Sequence, residues 1–110
     1  MSNKYALIIL PEAQQDIRDI VLYIARDLHS PGAALRLQDA LQEGIESLAE
    51  MPERIKTVDE DPWREAGIRR LRVQNYYIYF IISEKDRTVK IMAVVYTKRN
   101  QENQMIDRGM

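Results

Sequence analysis

Apolar positions along the chain form first a short run, then two helical stripes, then alternation. Residues 5–10 (YALIIL) are an apolar run closed by Pro11, which predicts a strand of about six residues. Pro11 suits the first turn of a helix, where its missing N–H costs nothing. Glu12 and Asp16 suit the positive end of that helix's dipole. Ala13, Ile17, Ile20, Val21 and Ile24 then recur as one helical stripe, predicting a helix that ends near Leu28 and His29. Ser30-Pro31 restarts the pattern, with a hydroxyl N-cap before proline at the first helical position. Ala34, Leu37, Leu41, Ile45 and Leu48 mark a second stripe that stops before Met51-Pro52. So short a connection makes the two helices antiparallel neighbours, an αα-hairpin.

Residues 52–67 (PERIKTVDEDPWREAG) carry prolines, acidic residues and no period, so they read as a long loop. Trp63 is expected to pin that loop to the core. Beyond it, IRRLRV, YYIYFIIS and TVKIMAVVY are rich in β-branched and aromatic residues. Gln74-Asn75 and the stretch 84–87 (EKDR) separate them at hairpin lengths. The order is therefore β-α-α-β-β-β, an α+β fold. Three hairpin-linked strands form an antiparallel meander, the helical hairpin covers one face, and the first strand joins the same sheet.

At 110 residues the chain makes one domain, spanning 1–110, with room for one real core. It has no cysteine, which removes disulfides, thiolate catalysis and Cys-ligated zinc together. No apolar run approaches the ~18 residues that span a bilayer, and the first apolar stretch is too short for a signal peptide. A cytoplasmic protein with no membrane partner is expected. The net charge of −1 conceals a split: residues 1–63 hold 6 Lys and Arg against 12 Asp and Glu, while residues 64–100 hold 9 against 3. One basic side can attract a polyanion although the whole is nearly neutral.

Alternation decides which residues carry that charge. In IRRLRV, Leu71 and Val73 share the face toward the helices, and Arg70 and Arg72 share the other. The two arginines stand ~7 Å apart along the strand, close to the phosphate repeat of an extended nucleic acid. Tyr76 and Tyr77 begin the middle strand, and Tyr96, Thr97, Lys98 and Arg99 end the last. In a meander these ends lie together, so Arg72, Tyr76 or Tyr77, and Tyr96 to Arg99 are expected to converge at one sheet edge. Cations beside aromatic rings serve RNA binding, charge for phosphate and rings for bases. Tyr76, Tyr77 and Lys98 are the candidate RNA contacts. The only histidine, His29, falls in the interhelical turn, so neither a Ser-His-Asp set nor a metal site is expected, and no cofactor. Cleavage of RNA by its own 2′-OH needs no metal: arginine can stabilise the transition state, and lysine or tyrosine can move the protons.

These blocks, PEAQQDIRDIVLYIARDL, SPGAALRLQDALQEGIESLAEMP, GIRRLRVQNYYIYFII and VKIMAVVYTKR, resemble the RelE/ParE superfamily, the toxins of bacterial type II toxin–antitoxin modules. The resemblance covers nearly the whole chain. It implies the small α+β, microbial-ribonuclease-like toxin fold, a cognate antitoxin and a toxin–antitoxin hetero-oligomer. Members similar to RelE cleave mRNA on the ribosome, and by position Arg70, Arg72 and Arg99 match their basic residues. Tyr77 stands where those members have a further arginine. No tyrosine follows Arg99, and Tyr96 is the candidate substitute. Members similar to ParE share the fold and inhibit DNA gyrase by binding. Messenger RNA cleavage with Arg70, Arg72, Arg99 and Tyr96 as catalytic residues is slightly favoured; gyrase inhibition and a non-toxic complex partner are the alternatives.

Overall fold

The computed structural model describes residues 4–98. Its elements are β1 (Ala6–Ile9), α1 (Pro11–Leu22), a π-helical turn (Tyr23–Asp27), α2 (Pro31–Ser47), β2 (Arg69–Val73), β3 (Tyr76–Ser83) and β4 (Thr88–Tyr96). They form one four-stranded sheet in the order β1-β4-β3-β2, open at both edges. The meander β2-β3-β4 is antiparallel, and β1 lies parallel to β4, with Ala6 opposite Thr88 and Ile9 opposite Ile91. This is the expected α+β architecture and element order.

The helical stripes meet the sheet as their periods require. Leu37, Leu41, Ile45 and Leu48 from the second stripe pack with Ile78, Phe80, Val89, Ile91 and Val94. Helix α1 contributes Ala13, fully buried, with Ile17 and Ile20 packed beside it. Two local features depart from the pattern. The first helix does not run unbroken toward Leu28: it widens into the π-turn, where the Leu28 N–H donates to the Tyr23 carbonyl. An extra residue per turn of this kind often accompanies a functional surface. The Ser30 hydroxyl does not cap α2 but donates to the Leu28 carbonyl at 3.2 Å, closing the interhelical turn instead. His29 takes φ 52° in that turn.

Helix α2 and β2 approach closely because Gly44 has no side chain. A Cβ there would stand 2.7 Å from Val73 Cγ2. Gly44→Ala gains about 1 kcal/mol of helix propensity, but overpacking costs about 1–3 kcal/mol, and the facing methyl belongs to a stiff β-branched residue. A net loss of about 1 kcal/mol is expected in urea unfolding, with recovery of part of it in the double variant Gly44→Ala/Val73→Ala.

The sheet's other face is not simply solvated. Val58, Trp63 and Ile68 fold back over Tyr79, Met92, Ala93 and Val95 to form a second, smaller core. Trp63 is 5% exposed and pins the loop, as its position suggests. A bulge serves this face: Tyr79 pairs with Ala93 but Phe80 with Ile91, leaving Met92 as the extra residue. Met92 and Ala93 therefore both face the Trp63 side, while Ile91 and Val94 face the helices. Every residue from Ile91 to Val95 is buried.

Tyr5 ties β1 to the far end of the sheet. Its hydroxyl donates to Glu84, with Glu53 at 3.5 Å, and Arg87 lies 4.4 Å over its ring. The hydrogen bond to Glu84 is the main cause raising the phenol above its ordinary 10.0; burial and the Glu53 and Glu84 charges add, and Arg87 opposes. The folded state holds this proton more tightly, so the contribution is complete below the ordinary value of 10.0 and is lost as pH rises above it. Tyr5→Phe is expected to flatten the loss of stability measured by urea unfolding between about pH 9 and pH 11.

Candidate functional site

The β2-β3 hairpin aligns Arg70 with Tyr79 and Arg72 with Tyr77. Residues directly opposed in an antiparallel pair share a face, so these four stand on the side away from the helices. The Arg70 guanidinium lies 4.3 Å over the Tyr77 ring, a cation–π contact. Tyr77 meets Tyr79 edge-on, with centroids 6.1 Å apart. The Arg72 Nε donates to the Gln74 carbonyl at 2.9 Å, holding that side chain over the turn. Arg70 is half-buried and Arg72 exposed. Two cations and a ring thus form a partly exposed strip beside the Trp63 core.

The strand ends do meet along the chain. Tyr76 pairs with Tyr96, and the Thr97 N–H donates to the Asn75 carbonyl at 2.9 Å. Their side chains nevertheless divide between two faces. Tyr76 packs against the helix-side core, and the Tyr96 ring lies 5.6 Å from it at 53°. Tyr77 packs on the opposite side. The expected single cluster is therefore two: Arg70, Arg72 and Tyr77 on one face, Tyr76 and Tyr96 on the other. The bulge is the cause. Strict alternation from Val89 would put Tyr96 on the arginine face, and the extra residue at Met92 reverses it. Lys98 is exposed just beyond β4. Arg99 lies outside the described residues.

Asp16 escaped the sequence reading, which used it only for the helix dipole. One of its carboxylate oxygens accepts from the Val94 N–H at 2.9 Å, joining α1 to β4 beyond the end of β1. The available signal was a carboxylate inside the apolar stripe, between Ala13 and Ile17. Among the described residues, no group of three His, Cys, Asp or Glu side chains is placed to hold a metal. None of their helices is long and apolar enough to cross a membrane.

Chemically, the arginine face suits contact with an anionic surface. Arg70 and Arg72 can neutralise phosphate or carboxylate, and Tyr77 offers a ring edge already polarised by a cation. The phenol of Tyr96 projects from the other side of the sheet and does not share that surface.

The family model for the ParE toxin of the type II toxin–antitoxin system parDE matches residues 7–101. The chain belongs to this family, within the RelE/ParE superfamily of toxins from type II toxin–antitoxin modules. Solved structures agree on the fold. A chain of the chromosomal ParDE system from P. aeruginosa superposes with a TM-score of 0.72 at 18% identity, over 88% of this chain and 100% of that one. A double mutant of E. coli toxin RelE in the free state gives 0.64 at 12% identity, over 97% of this chain and 99% of that one. The RelBE2 toxin–antitoxin complex from Mycobacterium tuberculosis contains a chain giving 0.63 at 20% identity, over 84% and 98%. Comparison with curated protein sequences gives no match.

Proposed function

We propose that this toxin arrests growth as a ParE-like inhibitor of DNA gyrase, by binding and without catalysis, and is held inactive by a cognate antitoxin in a hetero-oligomer. The observation that carries this reading is the division of the expected cleavage set. Arg70 and Arg72 stand with Tyr77 on one face, while Tyr96, the proton-transfer candidate, stands on the other. General acid–base catalysis needs its groups within hydrogen-bond reach of one reacting phosphate. The family match to ParE supports the same choice. The basic strip then serves as a contact surface for an anionic patch on gyrase or its bound DNA.

A second reading, ribosome-dependent mRNA cleavage, is favoured by one observation: Arg70 and Arg72 share one face of the strand at ~7 Å spacing. The two separate in cells when the chain is induced without antitoxin. Gyrase inhibition gives early SOS induction with intact mRNA. Rapid loss of translation with cleaved mRNA and no early SOS response would overturn it.

A further inference from the structure

Strand β1 accompanies β4 only from Thr88 to Ile91. Further along, the outer side of β4 faces α1 and the π-turn, bridged by the hydrogen bond from the Val94 N–H to Asp16. Past that bridge the two elements leave a groove of about 760 Å³. Ile20, Ile24 and Val94 supply its apolar lining. Tyr23 and Leu28, each 53% exposed, and Tyr96, 37% exposed, present apolar surface around it. A monomer gains nothing by leaving aromatic and leucine side chains so open around one concavity, and such patches mark interaction sites.

The groove's charge narrows the occupant. Asp16 and Asp19 line it, and among the described residues its lining includes no Lys or Arg. Asp19 is exposed and accepts one hydrogen bond from Gln15 Nε2 at 2.7 Å, which leaves its carboxylate capacity for another donor. Tyr23, Tyr76 and Tyr96 add rings to the same lining. Carboxylates among aromatic faces over an apolar lining suit a cationic side chain carried on an apolar segment: a charge-assisted hydrogen bond to Asp19, cation–π contact with the rings, and burial for its neighbours. Those carboxylates disfavour an anionic segment here.

We propose that this groove docks a segment of the cognate antitoxin whose apolar side carries an arginine or lysine, read by Asp19 and the tyrosine rings. The proposal rests on the antitoxin partnership stated above. It places the antitoxin's anchor across the sheet from the strip of Arg70, Arg72 and Tyr77, so neutralisation and target contact use opposite faces.

The test is isothermal titration of the full-length antitoxin encoded with this chain into the wild-type chain, Asp19→Lys, Tyr23→Ala and Arg72→Glu, with thermal melts as the folding control. Asp19→Lys is expected to weaken binding at least 100-fold at low salt and Tyr23→Ala about 10-fold, while Arg72→Glu binds as wild type. An antitoxin with one basic residue changed to glutamate should restore affinity for Asp19→Lys. Growth arrest by Asp19→Lys without antitoxin should persist, and coexpressed antitoxin should no longer relieve it. Unchanged affinity for a folded Asp19→Lys, or loss confined to Arg72→Glu, would overturn the proposal. So would a wild-type chain that is dimeric by light scattering and becomes monomeric in Asp19→Lys, since the groove would then hold a second copy. None of these affinities depends on whether the cellular target is gyrase, so failure of that reading leaves a separate signature.

Discussion

Phe80→Ala is expected to lower the free energy of unfolding by about 3–5 kcal/mol. Phe80 is fully buried, and it lies beside the bulge where β3 changes register against β4. Its ring fills the space between the sheet and the buried row Leu41, Ile45 and Leu48. Removing it leaves a cavity that a twisted strand pair held by flanking pairs on both sides cannot close. A domain of this size holds about 5–15 kcal/mol in total, so the variant should unfold at far lower urea concentration with its m-value unchanged. A loss near 1 kcal/mol would mean that the helix layer collapses onto β3, and that the core is more plastic than its close packing implies.

The second large effect is functional. Arg70→Ala/Arg72→Ala is expected to abolish growth arrest while leaving the fold in place. Arginine anchors at interfaces commonly contribute about 2 kcal/mol or more each, so losing two weakens target binding about 1,000-fold. Arg72 is exposed and bonds to the neighbouring turn carbonyl, and Arg70 stacks on Tyr77. The cost to stability includes the cation–π contact, worth about 0.5–1 kcal/mol at such a site. Growth curves after induction, paired with thermal melts of the purified variant, separate the two quantities. Retained toxicity in a folded double variant would remove the basic strip from the target surface.

The order of elements was legible because each carries its own period: four and three for the helices, two for β2, and breakers between them. Trp63 was legible too, as the one aromatic residue in an acidic loop. The parallel placement of β1 beside β4 follows from no local pattern; it is set by where the helical hairpin must lie to cover the sheet. The site was legible in part. Alternation correctly put Arg70 and Arg72 away from the helices, and the short Gln74-Asn75 turn correctly brought the strand ends together. It did not reveal the bulge, since IMAVV is apolar throughout and alternation has nothing to grip in a strand buried on both faces. That single residue, Met92, moved Tyr96 to the helix side. Asp16 was hidden differently: a carboxylate near a helix start already has an ordinary explanation in the dipole, and its bond to a strand 78 positions away is a tertiary fact.

The two faces give the charge split a physical meaning. The acidic first half supplies Asp16 and Asp19 to the groove, and the basic second half supplies Arg70 and Arg72 to the strip. A nearly neutral chain can thus offer opposite charges to two partners across one sheet.

The central claim, inhibition of gyrase by binding, is met most directly by a supercoiling assay with purified gyrase and the purified chain, antitoxin absent. Dose-dependent loss of supercoiling, relieved by antitoxin and missing in Arg70→Ala/Arg72→Ala, is the expected result. Unimpaired supercoiling at concentrations that arrest growth, with mRNA cut in translating ribosomes by the same preparation, would contradict it.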